Sequence, residues 1–455
     1  MPPKLSPGRE GSEWVPTVNL DLIIHTSWIL PMDAGDSILS DQAILIGGGR
    51  IKDILPSAQA RGHYASVPEL ELEGHVLLPG FINAHGHAAM TLLRGLVDDV
   101  PLMTWLRDYI WPTEQRWVSP AMIRAGTRLA ALEMLRGGTL CFNDMYYFPE
   151  VTAHVMAEVG MRAMVGMIVL DMPTVYGEGP DHYLRLGLAL HDHYLGHPLI
   201  HTAFAPHAPY TVSDQVLVRV RTLADELEQQ IHIHLHETAD EIEQSLHDHG
   251  VRPLRRLERL GLLGPQLQAV HMTQVDEDEI ELLAQTGCHV IHCPESQLKL
   301  ASGFSPVARL RAAGVNVALG TDGAASNNDL DMLGEMRTAA LLAKGVAGDP
   351  SALPATQALR MATLDGARAL GLEAETGSLE VGKSADLIAV DLRHPETQPL
   401  YNPVSALVYA ATRSQVRHAW VAGRQLVRDG QPTTLDPDSI LDEARAWCNR
   451  ISGQG

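Results

Sequence analysis

The chain has 455 residues, 45% of them hydrophobic, which is enough for a barrel of about 250 residues together with a second module. Its formal net charge of −21 is unfavourable for contact with phosphate backbones and excludes nucleic acid as the expected partner. The four cysteines, Cys141, Cys288, Cys293 and Cys448, form no CxxC pair, so neither disulfides nor a thiolate metal site is expected.

The two ends of the chain have strand-like patterns. A polar stretch at 1–17 lacks the apolar core of a signal peptide, and apolar runs at 21–30 and 42–55 follow it. Near the other end, 385–391 and 416–430 also have the pattern of short strands around tight turns. These segments predict one small β-sandwich domain built from 1–78 and 378–436, followed by a surface helix and tail at 437–455. No run reaches the length of a membrane span, so we expect a cytoplasmic protein without a membrane partner.

The middle of the chain, 79–377, alternates short β-like runs with amphipathic helical stretches, several of which end at a glycine. Eight such alternations predict an α/β fold, a (β/α)₈ TIM-type barrel with a parallel sheet. Catalytic residues of such barrels lie at the carboxyl ends of the strands. Polar residues follow four of the predicted strands: His85 and His87, His234 and Glu237, His271, and Asp322.

The residues after the first predicted strand indicate a metal site. His85 and His87 are two positions apart and project to one face, and converging imidazoles suit Zn²⁺ or Fe²⁺. Asp322 can add a carboxylate. No lysine lies between Lys52 and Lys299, so the first six strands cannot supply a carbamylated lysine that bridges two metals. We therefore predict one divalent metal ion per chain, since a second would need a bridging carboxylate or thiolate.

The fifth predicted strand offers three candidates for a third imidazole. His232, His234 and His236 alternate along it and share a strand face. We prefer His234, because it places Glu237 just beyond the strand end, where a carboxylate can reach a substrate. His232 is expected to lie deeper in the core and His236 higher, in the loop.

Four motifs carry a resemblance to a known family: PGFINAHGHAAM, HLHET, VIHCPESQLKLASG and LGTDGAASNNDLDML. They resemble the amidohydrolase superfamily, in particular its branch of triazine hydrolases and nucleoside deaminases. The similarity runs from about residue 21 to 430. It implies metal-dependent hydrolytic deamination of an adenine nucleoside to the inosine analogue and ammonia, with Zn²⁺ as the preferred ion and Fe²⁺ as the alternative.

The resemblance also implies roles for the residues at the strand ends. Glu237 would shuttle protons, His271 would contact the attacking water or the substrate, and Asp322 would orient the water and accept a proton. The implied metal ligands are His85, His87, His234 and Asp322.

Three further residues match substrate-contacting positions of that branch. Glu114 would accept hydrogen bonds from the ribose 2′ and 3′ hydroxyls, His207 would contact the substrate, and Ser326 would line the pocket. The segment 164–183 contains no arginine or lysine that could pair with a substrate carboxylate. 5-Methylthioadenosine is therefore expected to be preferred to S-adenosylhomocysteine, with adenosine a further candidate.

Two other kinds of function use the same features differently. A triazine chlorohydrolase or a guanine- or pterin-type deaminase would keep the metal site, but a free base offers Glu114 no ribose diol. A non-catalytic barrel scaffold is expected to have lost metal ligands, and here all of them are present. The expected partner is thus a small nucleoside, and the sequence leaves a homo-oligomer open.

Overall fold

The computed structural model describes residues 19–64 and 66–453. The N-terminal stretch 1–17, for which the sequence predicted no signal peptide, lies outside the described residues. Within the described part of the chain, no helix combines the length and the apolar character needed to cross a membrane.

The N-terminal part of the small domain contains four strands and one helix. The first strand pairs antiparallel with the second and parallel with the fourth. His25 on the first strand is therefore paired with Ala43 on one side and with Glu71 on the other. The hairpin between the second and third strands turns at Gly48 and Gly49, whose φ angles of 58° and 75° suit glycine. These elements are β1 (Leu22–Ile29), β2 (Leu39–Gly47), β3 (Arg50–Pro56), α1 (Ser57–His63) and β4 (Glu69–Pro79).

The next eight strands form one parallel sheet in sequential order, and each is mostly buried on both faces, as a barrel wall requires. A parallel bridge between Gly86 and Asp322 joins the first of them to the segment after the last. The predicted (β/α)₈ barrel is confirmed. Its strands are β5 (Phe81–Gly86), β6 (Thr139–Asp144), β7 (Arg162–Val169), β8 (Ile200–Pro206), β9 (Gln230–Leu235), β10 (Leu267–His271), β11 (His289–His292) and β12 (Asn316–Leu319).

Helices connect the barrel strands. Glycines in the left-handed region follow several of them, including Gly160, Gly250 and Gly287, which agrees with the glycine stops in the sequence. The helices in this part are α2 (Leu102–Thr104), α3 (Trp111–Trp117), α4 (Pro120–Arg136), α5 (Pro149–Val159), α6 (Pro180–Tyr194), α7 (Asp214–Leu227), α8 (Ala239–His249), α9 (Pro253–Arg259), α10 (Glu277–Thr286), α11 (Pro294–Lys299), α12 (Val307–Ala312), α13 (Met332–Ala347), α14 (Ala355–Met361) and α15 (Leu364–Ala369). A 3₁₀ helix spans Ala88–Leu93, and a π-helix, Trp105–Ile110, joins α2 to α3.

The C-terminal strands complete the sheet of the small domain. It has the order β16-β15-β14-β13-β4-β1-β2-β3, so β4 joins the two ends of the chain. Ile44 and Ile46 of β2 share a core cluster with Trp420 of β14, which shows that the sheet folds over its own face. The predicted β-domain built from both termini is confirmed. The remaining elements are β13 (Leu387–Asp391), α16 (Pro403–Tyr409), β14 (Val416–Val421), β15 (Arg424–Arg428), β16 (Gln431–Pro432) and α17 (Pro437–Ile451), with 3₁₀ turns at Pro395–Thr397 and Arg413–Gln415.

The last helix, α17, packs on α4 of the barrel. Ile440 and Trp447 are its buried residues, and Glu443 forms an ion pair with Arg128 at 2.9 Å. The predicted terminal helix therefore exists, and it has one face against the barrel. The domain limits at 78, 378 and 436 stay a prediction.

Candidate active site

Three imidazoles converge where β5 and β9 end. One ring nitrogen each of His85, His87 and His234 lies within 4.8 Å of the others. The ring centroids of His85 and His87 are 4.8 Å apart, and those of His85 and His234 are 4.9 Å apart. The pairing of His85 with His87 follows from the two-residue period of β5, while His234 reaches them across the barrel.

Backbone carbonyls orient two of these rings. The Nδ1 atom of His87 lies 2.6 Å from the carbonyl oxygen of Met145, and that of His234 lies 2.8 Å from the carbonyl oxygen of His207. Because a carbonyl only accepts hydrogen bonds, each Nδ1 must carry the proton, and each Nε2 then has a free lone pair. This arrangement is typical of histidines that bind a metal through Nε2.

The three histidines of the fifth barrel strand have different environments. His232 lies beneath the site, with its Nε2 atom 2.8 Å from Nδ1 of His85, while Nε2 of His85 is buried without a hydrogen-bond partner. His236 follows the end of β9 with a φ of 54°, and its ring is turned toward the carbonyl of Gln274. Of the three, only the ring of His234 belongs to the cluster with His85 and His87.

Asp322 adds the carboxylate. Its Oδ1 atom lies 3.1 Å from Nε2 of His87 and 3.3 Å from Nε2 of His85, and its Oδ2 atom accepts hydrogen bonds from Ser296 and Ser326 at 2.6 and 2.9 Å. Burial opposes ionisation of Asp322, but its contacts with the two imidazoles outweigh this effect and hold the pKa of Asp322 well below its usual range. This carboxylate is therefore ionised at neutral pH.

The donor set fits one divalent metal ion. Three imidazole nitrogens and one carboxylate are the ligand types that zinc accepts in four-coordinate and open sites. The unpartnered Nε2 of His85, buried beside Asp322, is the position that such an ion would satisfy. A nitrogen of His271 also lies within 4.8 Å of donor atoms of His85 and Asp322, which places this ring at the edge of the same centre.

Glu237 and His271 lie beside the predicted metal ligands. Glu237 follows β9, and its Oε1 atom is 3.8 Å from Nε2 of His271. Burial raises the pKa of Glu237 well above its usual value, and the neighbouring Asp322 and Glu241 carboxylates add to the effect. Burial lowers the pKa of His271 to about 3, so this ring is neutral. A carboxyl group that can hold a proton near neutral pH is suited to proton transfer.

Glu114 lies on α3 and lines the same cleft as His87, His234 and Asp322. Its carboxylate accepts a hydrogen bond of 2.7 Å from the Tyr146 hydroxyl, and burial raises its pKa to about 7. The helical segment that carries it covers the cleft with apolar side chains, including Leu102, Trp105 and Ile110. The π-helix within this segment is a feature often found at functional sites, and no pattern in the sequence indicates it.

His207 and Ser326 both line the same cleft. The Nδ1 atom of His207 lies 3.0 Å from the Thr211 hydroxyl, and burial lowers its pKa to about 4, with smaller contributions from two neighbouring histidines. The Ser326 hydroxyl donates to Asp322, so its proton is already engaged by that carboxylate. The predicted site residues thus all line one cleft except His85, which is fully buried beside Asp322.

The sequence also matches proteins of known family. Residues 76–426 match the family described as "Amidohydrolase family". The chain belongs to the amidohydrolase family. It is 50% identical to the 5-methylthioadenosine/S-adenosylhomocysteine deaminase of Teredinibacter turnerae, over 96% of this chain and 99% of that protein. As an amidohydrolase the chain is a hydrolase of a metal-dependent family, and the donor set described above agrees with this.

Solved structures are also similar to this chain. An adenosine deaminase from Xanthomonas campestris with bound zinc is 48% identical, with a TM-score of 0.94, over 96% of this chain and all (100%) of that chain. The zinc complex of an atrazine chlorohydrolase from Arthrobacter aurescens has the same fold, with 24% identity and a TM-score of 0.88 over 94% of this chain and 100% of that chain.

Two residues that contact the site were not predicted from the sequence. Tyr146 donates a hydrogen bond to Glu114, and Ser296 donates one to Asp322. Tyr146 lies just after β6, where the strand-end rule for barrels could have indicated it. Ser296 lies inside one of the four motifs, but the sequence cannot show which carboxylate its hydroxyl meets.

Proposed function

We propose that this amidohydrolase deaminates an adenine nucleoside, producing the inosine analogue and ammonia, with one Zn²⁺ in its catalytic centre. The observation that carries the proposal is the carboxylate of Glu114, which is only 7% exposed and lines the same cleft as His87, His234 and Asp322. Tyr146 occupies one of its oxygens, and among the described residues the other has no hydrogen-bond donor. A carboxylate so placed suits a ribose diol. The proposed metal ligands are His85, His87, His234 and Asp322.

A zinc ion at this cluster supplies a Lewis acid that makes water nucleophilic at neutral pH. Glu237 takes one proton from the water and passes it to the ring nitrogen beside C6, which makes that carbon electrophilic. The water oxygen bonds to C6, Asp322 takes the second proton, and this proton moves to the amino group. The C6–N bond then breaks and ammonia leaves. His271, held neutral, binds the oxygen that is added.

The remaining contacts would position the nucleoside. Glu114 accepts hydrogen bonds from the two ribose hydroxyls, while His207 and Ser326, which line the same cleft, contact the base or the sugar. Apolar residues of the cleft, among them Leu102, Trp105 and Leu170, suit an uncharged 5′ substituent.

The charges outside the cleft favour a methylthio group over an amino acid at the 5′ position. A second cavity shares Leu102 and Glu237 with the cleft and carries several further carboxylates. Two arginines are among the described residues that line this cavity. Arg256 donates a hydrogen bond of 2.6 Å to Asp214, so the exposed Arg107 is the arginine that could pair with a substrate carboxylate. Since the cavity has a net negative charge, a substrate carboxylate is disfavoured there. We therefore propose 5-methylthioadenosine as the preferred substrate over S-adenosylhomocysteine.

Ammonia release from a panel of substrates tests this proposal. The zinc-loaded enzyme is assayed with 5-methylthioadenosine, adenosine, guanine and a chlorotriazine, and chloride release is followed for the last. We expect turnover of the two nucleosides and none above background for the others. Turnover of guanine faster than that of the two nucleosides, or release of chloride from the chlorotriazine, would refute the assignment to adenine nucleosides.

A further inference from the structure

A second cluster of possible metal ligands lies in the small domain, on neighbouring strands. His25 of β1 is paired in register with Glu71 of β4, and Glu69 lies two positions earlier on the same strand. Because side chains alternate along a strand, Glu69 and Glu71 point to the same face. One ligand atom from each of the three residues lies within 4.8 Å of the others.

His25 is buried without a hydrogen-bond partner among the described residues. Its side chain is 2% exposed, and among the described residues neither ring nitrogen has a hydrogen-bond partner. Buried polar atoms are nearly always satisfied, so an imidazole with two unpartnered nitrogens calls for a ligand. Its Nε2 atom is directed at Glu69, 3.6 Å from Oε2, which is too far for a hydrogen bond. Burial lowers the pKa of His25, so the ring is neutral and has a lone pair to donate.

We propose that His25, Glu69 and Glu71 form a second divalent-cation site, which takes zinc and is separate from the catalytic centre. Zinc binds imidazole nitrogen and carboxylate oxygen at about 2.0–2.2 Å in a tetrahedral arrangement, which places ligand atoms roughly 3.3–3.6 Å apart. The separation of 3.6 Å between His25 and Glu69 matches this geometry. The imidazole disfavours Ca²⁺ and Mg²⁺, which prefer oxygen ligands only.

One neighbouring cation competes for this site. Arg61 of α1 forms an ion pair of 2.6 Å with Glu71, and the two side chains are 47% and 57% exposed. Exposed ion pairs contribute little to stability, so a divalent ion can displace the guanidinium at small cost. Because the guanidinium and the cation compete for Glu71, removing Arg61 should strengthen zinc binding. If no cation bound here and the ion pair were purely structural, removing Arg61 would have no such effect.

Zinc titration of the full chain tests the proposal. The catalytic centre is first loaded with one equivalent of Zn²⁺, and a second equivalent is then titrated against a chromophoric chelator. The variants Glu69→Gln and His25→Ala should weaken the second equivalent by more than about tenfold, since even outer contacts of a metal ligand contribute about 10–100-fold. Arg61→Gln should tighten it. Turnover and the first equivalent should be unchanged in all three.

Glu73→Gln is the matched control, because it removes the same charge from an exposed position of β4 outside the cluster. It should leave the second equivalent unaffected. The proposal is overturned if the unaltered chain binds no second equivalent, or if Glu69→Gln binds it as tightly as Glu73→Gln does. Since Glu69 is exposed at the start of β4, its variant should fold and decides the matter even if His25→Ala does not fold.

Discussion

Replacing Glu114 with alanine should reduce activity on nucleosides far more than on substrates without a ribose diol. The substitution removes the carboxylate proposed to accept the 2′ and 3′ hydroxyls, and it leaves the buried Tyr146 hydroxyl without its acceptor. Above pH 7, where Glu114 with its pKa of about 7 is ionised, a hydrogen bond to this charged group contributes about 1.5–3 kcal/mol, and about 1.4 kcal/mol corresponds to tenfold. Loss of one such bond therefore predicts about 10- to 150-fold in kcat/KM, and loss of two predicts more.

The assay compares kcat/KM for adenosine and 2′,3′-dideoxyadenosine in the unaltered enzyme, Glu114→Ala and Tyr146→Phe. The unaltered enzyme should strongly prefer adenosine, and Glu114→Ala should discriminate little between the two. Tyr146→Phe keeps the carboxylate and should retain most of the preference. If Glu114→Ala lowers both values by the same factor, Glu114 does not contact the sugar and the reasoning fails.

Four further predictions concern the metal, the proton shuttle, the 5′ group and acid stability. One equivalent of divalent metal should support full turnover, and His85→Ala should abolish both binding and activity; elemental analysis showing that activity needs two equivalents would contradict this. Glu237→Gln should keep the metal but lose about 10²–10⁴-fold in kcat, because the shuttle is removed; near-normal turnover would exclude that role. Methylthioadenosine should have a higher kcat/KM than S-adenosylhomocysteine, and equal values would refute the electrostatic argument. Burial lowers the pKa of His201 from 6.5 to about 4, so its contribution to stability is present above pH 6.5 and is lost as the pH falls toward 4. The full contribution is about 3 kcal/mol. In His201→Asn the free energy of unfolding should therefore fall less steeply between pH 6.5 and 4 than in the unaltered chain, and an unchanged slope would contradict this prediction.

The sequence by itself determined the barrel and the residues at its strand ends. The two-residue period of a strand places His85 and His87 on one face, and the parallel topology brings the ends of β5, β9 and β12 to one rim. The strand period is a local property and the common rim follows from the strand order, so both can be predicted from the sequence alone.

The environments of the three histidines at β9 came only from the tertiary structure. Spacing favours His234 through its distance from Glu237, but it does not show what His232 and His236 contact: the backbone turns into the left-handed region at His236 and directs its ring toward the carbonyl of Gln274. His232 meets His85 instead, because their strands lie across the barrel from one another. No local pattern carries this information.

The contacts that tune the site also came only from the tertiary structure. Glu114 meets Tyr146, and Ser296 meets Asp322, although each pair is separated by 26 or more residues along the chain. Likewise, β4 lies between β1 and β13, which places Glu69 beside His25. Such pairs depend on how distant segments pack, and packing is set by the whole core rather than by the residues of either segment.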